Sequence, residues 1–379
     1  MEQSEFKQYL IQAGLFLLTL CTTTLAGAEW MFGKFVFYGE EPLSIDEFVA
    51  ALQFSVPFLG ILTVHEFGHY LTAWYYKVKV SLPYYIPLWL GFFLMPSIGT
   101  AGAFIRIKEA IRHKREIFDI GIAGPLAGFI IALAVLFYGF THLPPAEYIY
   151  EIHPEYEVYG LDYADHVYDN AGVHNIRISV GKSLLFSFFE KYVASDPALV
   201  PNKYELYHYP YLFAGLLALF FTALNLLPIG QLDGGHVLFG LLGHKKASLV
   251  SRIFFVLLVF LSGVGVITFN DSWQDLMIGL LLYIGFLYLV FYRFETDKSK
   301  RLLYAIVMCT AQMITERIVG GTLGFEVYLV FCLLLGRVLG VDHPPARYNA
   351  PIGTFRTMLG WIALIIFVIS FTPAPLVFE

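Results

Sequence analysis

The chain has 379 residues, of which 58% are hydrophobic and 14% are charged, and its formal net charge is −6 at pH 7. Soluble domains carry about 25% charged and about 45–50% apolar residues, so this composition excludes a soluble enzyme and a disordered chain. The mild negative charge, without a basic stripe, excludes a nucleic-acid-binding protein. The composition therefore predicts an all-α polytopic membrane protein in a lipid bilayer.

Nine apolar runs come close to the length of about 20 residues that a helix needs to cross a bilayer. They lie at 8–27, 48–74, 116–139, 207–228, 253–269, 276–292, 302–318, 322–339 and 357–373. We therefore expect about nine transmembrane helices. The first run is either a retained span or a signal peptide, because Ala26-Gly27-Ala28 resembles a cleavage site. The acids Glu2 and Glu5 in front of this run favour the retained span.

The stretch 81–103, after the second run, is apolar but interrupted by three prolines and three glycines. A helix with so many interruptions is not expected to span a membrane. Residues 103–108 then alternate apolar and polar side chains, which is the period of a strand. The sequence therefore predicts a small re-entrant or β element after the second helix.

The distribution of lysine and arginine predicts the orientation of the spans, because these residues are enriched in cytoplasmic loops. Segment 75–115 has seven basic residues against the single acid Glu109, whereas segment 140–206 has ten acids and four bases. We expect 75–115 to be cytoplasmic, 140–206 to form a small tyrosine-rich module outside, and the N-terminus to be inside.

The second run contains His65-Glu66-Phe67-Gly68-His69. Two histidines four residues apart share one face of a helix, so both imidazoles can bind one zinc ion. Glu66 follows the first histidine and can act as a general base towards water. Ionisable groups in an apolar run are costly and favour a functional site; the alternative is a buried polar cluster that holds helices together.

A third ligand is expected, because hydrolytic zinc sites usually have three protein ligands. The fourth run ends at Asn225-x-x-Pro228, and Leu232-Asp233-Gly234 follows. Pro228 ends or kinks the helix, which places Asp233 on a bent segment near membrane depth. The alternative is an aspartate in a capping turn that faces cytoplasmic water. The charge pattern runs the second and fourth spans in the same direction, so His69 and Asp233 are expected at similar depth.

These paired motifs resemble those of the site-2 proteases, the intramembrane zinc metalloproteases. The stretches 99–107, 118–128 and 342–345 resemble the chloroplast and bacterial branch of that family, which lacks an inserted PDZ domain. The resemblance implies one Zn²⁺ per chain.

The resemblance also implies a role for each residue of the motifs. His65, His69 and Asp233 would be the metal ligands. Glu66 would be the catalytic base, and Asn225 a catalytic residue that helps to hold the scissile carbonyl or its oxyanion.

The implied organisation has three parts. Residues 1–47 form an N-terminal transmembrane helix and outer loop, 48–243 form the protease core with the outer loop 140–206, and 244–379 form C-terminal transmembrane helices. The small residues Gly121, Gly124 and Gly128 are expected to let the third span approach its neighbours closely. His208, His236 and the pair Asp342-His343 are expected to be mainly structural.

The implied activity is hydrolysis of peptide bonds in or near transmembrane segments, as in regulated intramembrane proteolysis. The partners would be transmembrane proteins or peptides and the lipid bilayer. The sequence lacks an Arg- and Ser-rich transit segment, which favours a bacterial inner membrane, with the active site towards the cytoplasm. The alternatives are a metal-binding membrane transporter, a catalytically inactive scaffold that binds helices, and a membrane protease with glutamate as its third zinc ligand.

Overall fold

A computed structural model describes residues 2–38, 42–168, 178–270, 272–321, 323 and 325–378. The chain divides into two compact units. Unit 1 comprises residues 1–110, 123–222 and 378–379, and unit 2 comprises residues 111–122 and 223–377. Most described residues are helical, as the composition predicts, and a small antiparallel sheet follows the second long helix.

The elements up to residue 226 are listed here in chain order. They are α1 (Glu2–Phe32), α2 (Ile45–Ala50), α3 (Leu52–Tyr75), β1 (Tyr84–Leu88), β2 (Gly99–Phe104), α4 (Lys114–Thr141), α5 (Tyr148–Ile152), α6 (Tyr163–Val167), β3 (Ile178–Val180), α7 (Leu184–Tyr192) and α8 (Pro210–Leu226). Short 3₁₀ helices lie at Gly91–Phe93, Pro154–Asp162, Pro197–Leu199 and Leu206–His208. The first residues of α4 and the last residues of α8 belong to unit 2.

The remaining elements follow the turn after α8. They are α9 (Asp233–Ser262), α10 (Trp273–Val290), α11 (Lys298–Val319), α12 (Tyr328–Leu333), α13 (Thr354–Ser370) and β4 (Leu376–Phe378). A π-helix, Leu334–Leu339, continues α12. The helix α9 is kinked at Gly243, whose φ is +74°.

Five helices among the described residues are long and apolar enough to cross a membrane. They lie at Phe6–Phe32, Ile45–Tyr75, Lys114–Thr141, Trp273–Val290 and Lys298–Val319. The expected nine are therefore not confirmed. Three other predicted runs coincide with shorter apolar helices, Pro210–Leu226, Tyr328–Leu339 and Thr354–Ser370, and the run 253–269 includes the end of α9 at Ser262 and a turn. The helix Pro210–Leu226 ends just before the Pro228 turn, and the helix Tyr328–Leu339 begins six residues after the start of its predicted run.

The hairpin of β1 and β2 packs against α1 and confirms the predicted β element. The Thr22 hydroxyl of α1 donates to the Gly99 carbonyl at 2.7 Å, and the Trp30 indole donates to the Ser97 carbonyl at 2.8 Å. These side chains satisfy carbonyls at the edge of the hairpin. The first apolar run is therefore an integral helix of unit 1.

The second strand begins at Gly99, four residues before the predicted strand 103–108. Its register pairs Tyr84 with Phe104 and Leu88 with Gly99. Beyond Phe104 the pairing continues only as an isolated bridge between Val80 and Ile107. The alternation of side chains therefore indicated the end of β2 and the bridge at Ile107. It missed the glycine-rich start of β2, where the backbone of Gly99 contacts α1.

Gly99 lies against α1 with no room for a side chain. A Cβ at this position would lie 2.3 Å from the Thr22 carbonyl oxygen and 2.3 Å from the Thr23 Cα, and the φ of Gly99 is +79°. Gly102 has a φ of +102° but open space around its Cβ position. A substitution at Gly102 therefore tests backbone strain alone, whereas a substitution at Gly99 tests strain and close packing together.

We expect Gly102→Ala to lower the free energy of unfolding by about 1 kcal/mol through backbone strain alone. Gly99→Ala adds a collision with α1 and should lower it by a further 1–3 kcal/mol or so. Thermal unfolding of both variants in detergent, followed by tryptophan fluorescence, measures the difference. Equal loss in the two variants would contradict the close contact between β2 and α1.

Candidate metal centre

The sequence motif of α3 places three ionisable side chains together in a buried position. His65, Glu66 and His69 are only 6%, 5% and 7% exposed. The Nε2 atoms of the two imidazoles are 3.1 Å apart, and Glu66 Oε1 lies 4.0 Å from His65 Nε2. The helical spacing of four residues therefore directs both rings into the same small volume, as the sequence predicts.

This donor set fits a zinc ion. Zinc binds imidazole nitrogen at about 2.0–2.1 Å in a tetrahedral arrangement, which puts two ligand atoms about 3.3 Å apart. The observed separation of 3.1 Å between the Nε2 atoms of His65 and His69 is close to that value. Glu66 lies beside the pair, where a carboxylate can accept a proton from water.

Glycines of α4 make room for the two imidazoles within unit 1. A Cβ on Gly124 would lie 2.2 Å from His69 Nε2, and a Cβ on Gly128 would lie 3.0 Å from the His65 Cβ. Gly68 of α3 in turn approaches the backbone of Ala123, where a Cβ would lie 2.6 Å from the carbonyl oxygen. The predicted close approach of the third span is thus found on the metal-binding face of α3.

Asp233 is the first residue of α9 in unit 2, rather than part of a loop after the fourth span. A carboxylate in the first turn of a helix is stabilised by the helix dipole. The following glycines bring this turn against backbone: a Cβ on Gly234 would lie 2.0 Å from the Leu226 carbonyl oxygen, and a Cβ on Gly235 would lie 2.2 Å from that of Gly230. Asn225 lies in the last turn of α8, and both Asn225 and Asp233 are partly buried.

His236, one turn after Asp233, is held by the loop that contains His343. His236 Nδ1 lies 2.8 Å from His343 Nε2, and His343 Nδ1 lies 2.5 Å from the Pro344 carbonyl. Because that carbonyl accepts, His343 Nδ1 donates to it and His343 Nε2 accepts from His236. The His343 ring also stacks on Phe239, at 4.2 Å between ring centroids. Burial and, next, the His236 ring lower the pKa of His343 to about 4.

The sequence motif therefore predicts the buried triad His65, Glu66 and His69 of α3. It does not predict the contact of His343 with His236 of α9. The pair His236 and His343 is 107 residues apart in the chain, and no spacing rule connects them. Asp342 was expected to be structural, and it forms a two-point ion pair with Arg252 at 3.0 and 2.7 Å. Asp233 and Asn225 belong to unit 2.

A helical membrane protein with two histidines and a glutamate in an apolar helix belongs to the class of membrane metallopeptidases. The family model of Peptidase family M50 matches residues 53–263, which is more than half of the chain. The chain belongs to this family.

Curated relatives of this chain are named as zinc metalloproteases. A probable zinc metalloprotease EGY2, chloroplastic, from Oryza sativa is 30% identical over 194 residues, which are 51% of this chain and 30% of that protein. A probable zinc metalloprotease EGY1, chloroplastic, from Arabidopsis thaliana is 29% identical over 252 residues, 63% of this chain and 40% of that protein. The chain thus covers less than half of the length of these relatives. No solved structure matches it.

The contact between Gly124 and His69 gives a direct test of the site. We expect Gly124→Ala to displace the His69 ring and lower zinc affinity about 10- to 100-fold, as when an orienting partner of a ligand is lost. Gly60→Ala is the matched control. Gly60 lies on α3, in the same unit as Gly124, and nothing lies within 4 Å of its Cβ position. Zinc retention against a competing chelator measures both variants. Unchanged zinc retention in Gly124→Ala would contradict this placement of His69.

Proposed function

We propose that the chain is an intramembrane zinc metalloprotease that hydrolyses peptide bonds in or near transmembrane segments of membrane proteins. The observation that carries this proposal is the approach of His65 Nε2 to His69 Nε2, 3.1 Å apart and beside Glu66, inside a helix long and apolar enough to span a membrane. Ionisable groups at such a position mark functional sites in membrane proteins. Membership of Peptidase family M50 supports the same activity.

We further propose that Asp233 is the third zinc ligand, so that one zinc is held by two imidazoles and one carboxylate. Gly121, Gly124 and Gly128 recur at helical spacing and share one face of α4. Within unit 1 this face contacts the two histidines of α3, and within unit 2 a Cβ on Gly121 would lie 2.5 Å from the Cβ of His236. Within unit 2, His236 follows Asp233 by three residues, and Gly121 leaves room for its side chain.

The chemistry follows from the donor set. When bound, zinc would polarise the scissile carbonyl and lower the pKa of water. The Glu66 carboxylate would accept the proton of the attacking water and then donate a proton to the leaving amide nitrogen. The Asn225 side-chain amide would donate a hydrogen bond to the carbonyl oxygen as negative charge develops on it. Burial of His65, Glu66 and His69 strengthens each of these electrostatic interactions.

The substrate of this reaction would be a transmembrane segment that unwinds locally, because a carbonyl within a helix is already hydrogen-bonded. Glycine or other residues that weaken a helix should favour cleavage. Such a substrate class is consistent with regulated intramembrane proteolysis.

The basic segment 75–115 supports an orientation in which the nearby end of α3 faces the cytoplasm. His69 lies six residues before the end of α3 at Tyr75, which places the site towards that side. We propose a bacterial inner membrane as its location, so that the site would receive water from the cytoplasm.

Replacement of the base separates catalysis from metal binding. We expect Glu66→Gln to keep zinc but to reduce cleavage by about 10²- to 10⁴-fold, the usual contribution of a general base. The assay would use the full chain in lipid vesicles with a model Leu/Ala transmembrane peptide that contains a Gly-Gly pair, and mass spectrometry of the products. Glu116→Gln, a change in the first turn of α4, is the matched control and should leave cleavage unchanged.

The same assay separates the alternatives. Full cleavage by zinc-loaded Glu66→Gln would refute Glu66 as the general base. Metal transport by the wild type and by Glu66→Gln, with no cleavage by either, would favour a metal-binding transporter. Zinc binding by the wild type without cleavage of this peptide or of a set of natural transmembrane segments would favour a helix-binding scaffold.

A further inference from the structure

A second cluster of metal-ligating side chains lies in the segment between α4 and α8, far along the chain from the histidines of α3. It consists of His153, Glu205 and His208, all of unit 1. His153 joins α5 to the 3₁₀ helix Pro154–Asp162. Glu205 directly precedes the short 3₁₀ helix Leu206–His208 before α8, and His208 ends it. None of these residues has a role in the proposed protease reaction.

The three side chains converge on one point. His153 Nε2 lies 3.4 Å from His208 Nε2, and Glu205 Oε2 lies 3.2 Å from His208 Nε2 and 3.8 Å from His153 Nε2. Ligands of a tetrahedral zinc ion are about 3.3 Å apart, given bond lengths of about 2.0–2.2 Å. The cluster therefore has the dimensions of a coordination shell.

The outer nitrogen of each ring already has an acceptor. His208 Nδ1 lies 2.6 Å from the Met31 carbonyl of α1, and His153 Nδ1 lies 3.0 Å from the Glu155 carboxylate. Because a carbonyl and a carboxylate accept, both Nδ1 atoms donate. Each ring thus turns its Nε2 towards the centre of the cluster, and a hydrogen bond from the outer nitrogen is the usual support of a metal-binding histidine.

The two Nε2 atoms and the Glu205 carboxylate oxygen face one another in a largely buried space. Glu205 and His208 are 2% and 1% exposed, and the Glu205 Oε2 atom has no hydrogen-bond partner among the residues that the structure describes. A buried carboxylate oxygen without a donor is costly.

We propose that His153, Glu205 and His208 form a second divalent-metal site, of the class that takes zinc. Two imidazoles and one carboxylate are a ligand set that suits Zn²⁺. The metal would satisfy the two Nε2 lone pairs and the Glu205 carboxylate together. This inference goes beyond the proposed protease site and does not depend on it.

The second site would fasten the segment between α4 and α8 to the membrane-embedded part of unit 1. His153 and His208 are 55 residues apart in sequence, and His208 also contacts Met31 near the end of α1. A metal ion that joins them closes a long loop and reduces the conformational freedom of the unfolded segment. We therefore expect metal binding to stabilise the folded arrangement of residues 142–168 and 178–209.

The test is the metal content of the full chain, purified in detergent without a histidine tag and dialysed against a weak chelator. We expect two zinc ions in the wild type and one fewer in both His153→Ala and Glu205→Gln. His153 is partly exposed and Glu205→Gln preserves shape, so both variants should fold. His142→Ala is the matched control, because His142 is an exposed histidine of the same segment, and it should keep both ions.

His69→Ala distinguishes this site from the protease site. It should lose one zinc and keep the one that depends on His153. One zinc in the wild type, lost in His69→Ala and kept in His153→Ala, would overturn the second site and leave the proposed protease intact. One zinc that is lost in His153→Ala and kept in His69→Ala would support the second site and contradict the protease site. No zinc in any sample would overturn both.

Limited proteolysis gives a second readout that does not depend on counting ions. In protein first stripped of metal with EDTA, added Zn²⁺ should slow cleavage of the wild type within residues 142–168 and 178–209 at least tenfold, because a ligand that binds only the ordered form protects it. The same addition should have no effect on His153→Ala. Equal protection of the two proteins would overturn the proposal.

Discussion

The constraint on which this structure depends is the burial of two imidazoles and a carboxylate inside an apolar helix. His65, Glu66 and His69 are each less than a tenth exposed, and a membrane offers them no water. Such groups need a cation or a dense set of polar partners. The glycine face of α4 allows this arrangement, since any side chain at Gly124 would occupy the position of the His69 ring. The burial of the two imidazoles therefore explains both the proposed metal binding and the close packing of α3 against α4.

The turn between α8 and α9 also places an acidic side chain among closely packed residues, and here backbone contacts support it. Asp233 begins α9, where the helix dipole favours a carboxylate. Gly234 and Gly235 let this first turn lie directly against the backbone of the preceding turn. His236 is then held through the His343 side chain, whose own Nδ1 is fixed by Pro344. These contacts fix the backbone position of Asp233 at the start of α9.

The sequence predicted the membrane character, the triad of α3 and the β element, because each depends on local composition or on the helical repeat. The expected nine spans are not confirmed, since hydropathy does not show where a helix such as α8 ends at the Pro228 turn. The sequence placed the strand too late, because β2 is defined by backbone contacts of Gly99. It treated His208 as structural, since a cluster with His153 forms only through the fold; the spacing Glu205-x-x-His208 was the one local signal.

The central claim is that one zinc is shared by α3 and the start of α9. The most direct measurement is the zinc content of the purified full chain and of His65→Ala, Asp233→Ala and Glu66→Gln, by elemental analysis. The account predicts one zinc fewer in each of the two ligand variants and an unchanged content in Glu66→Gln. A full zinc content in Asp233→Ala would contradict the three-ligand site and would require a different third ligand.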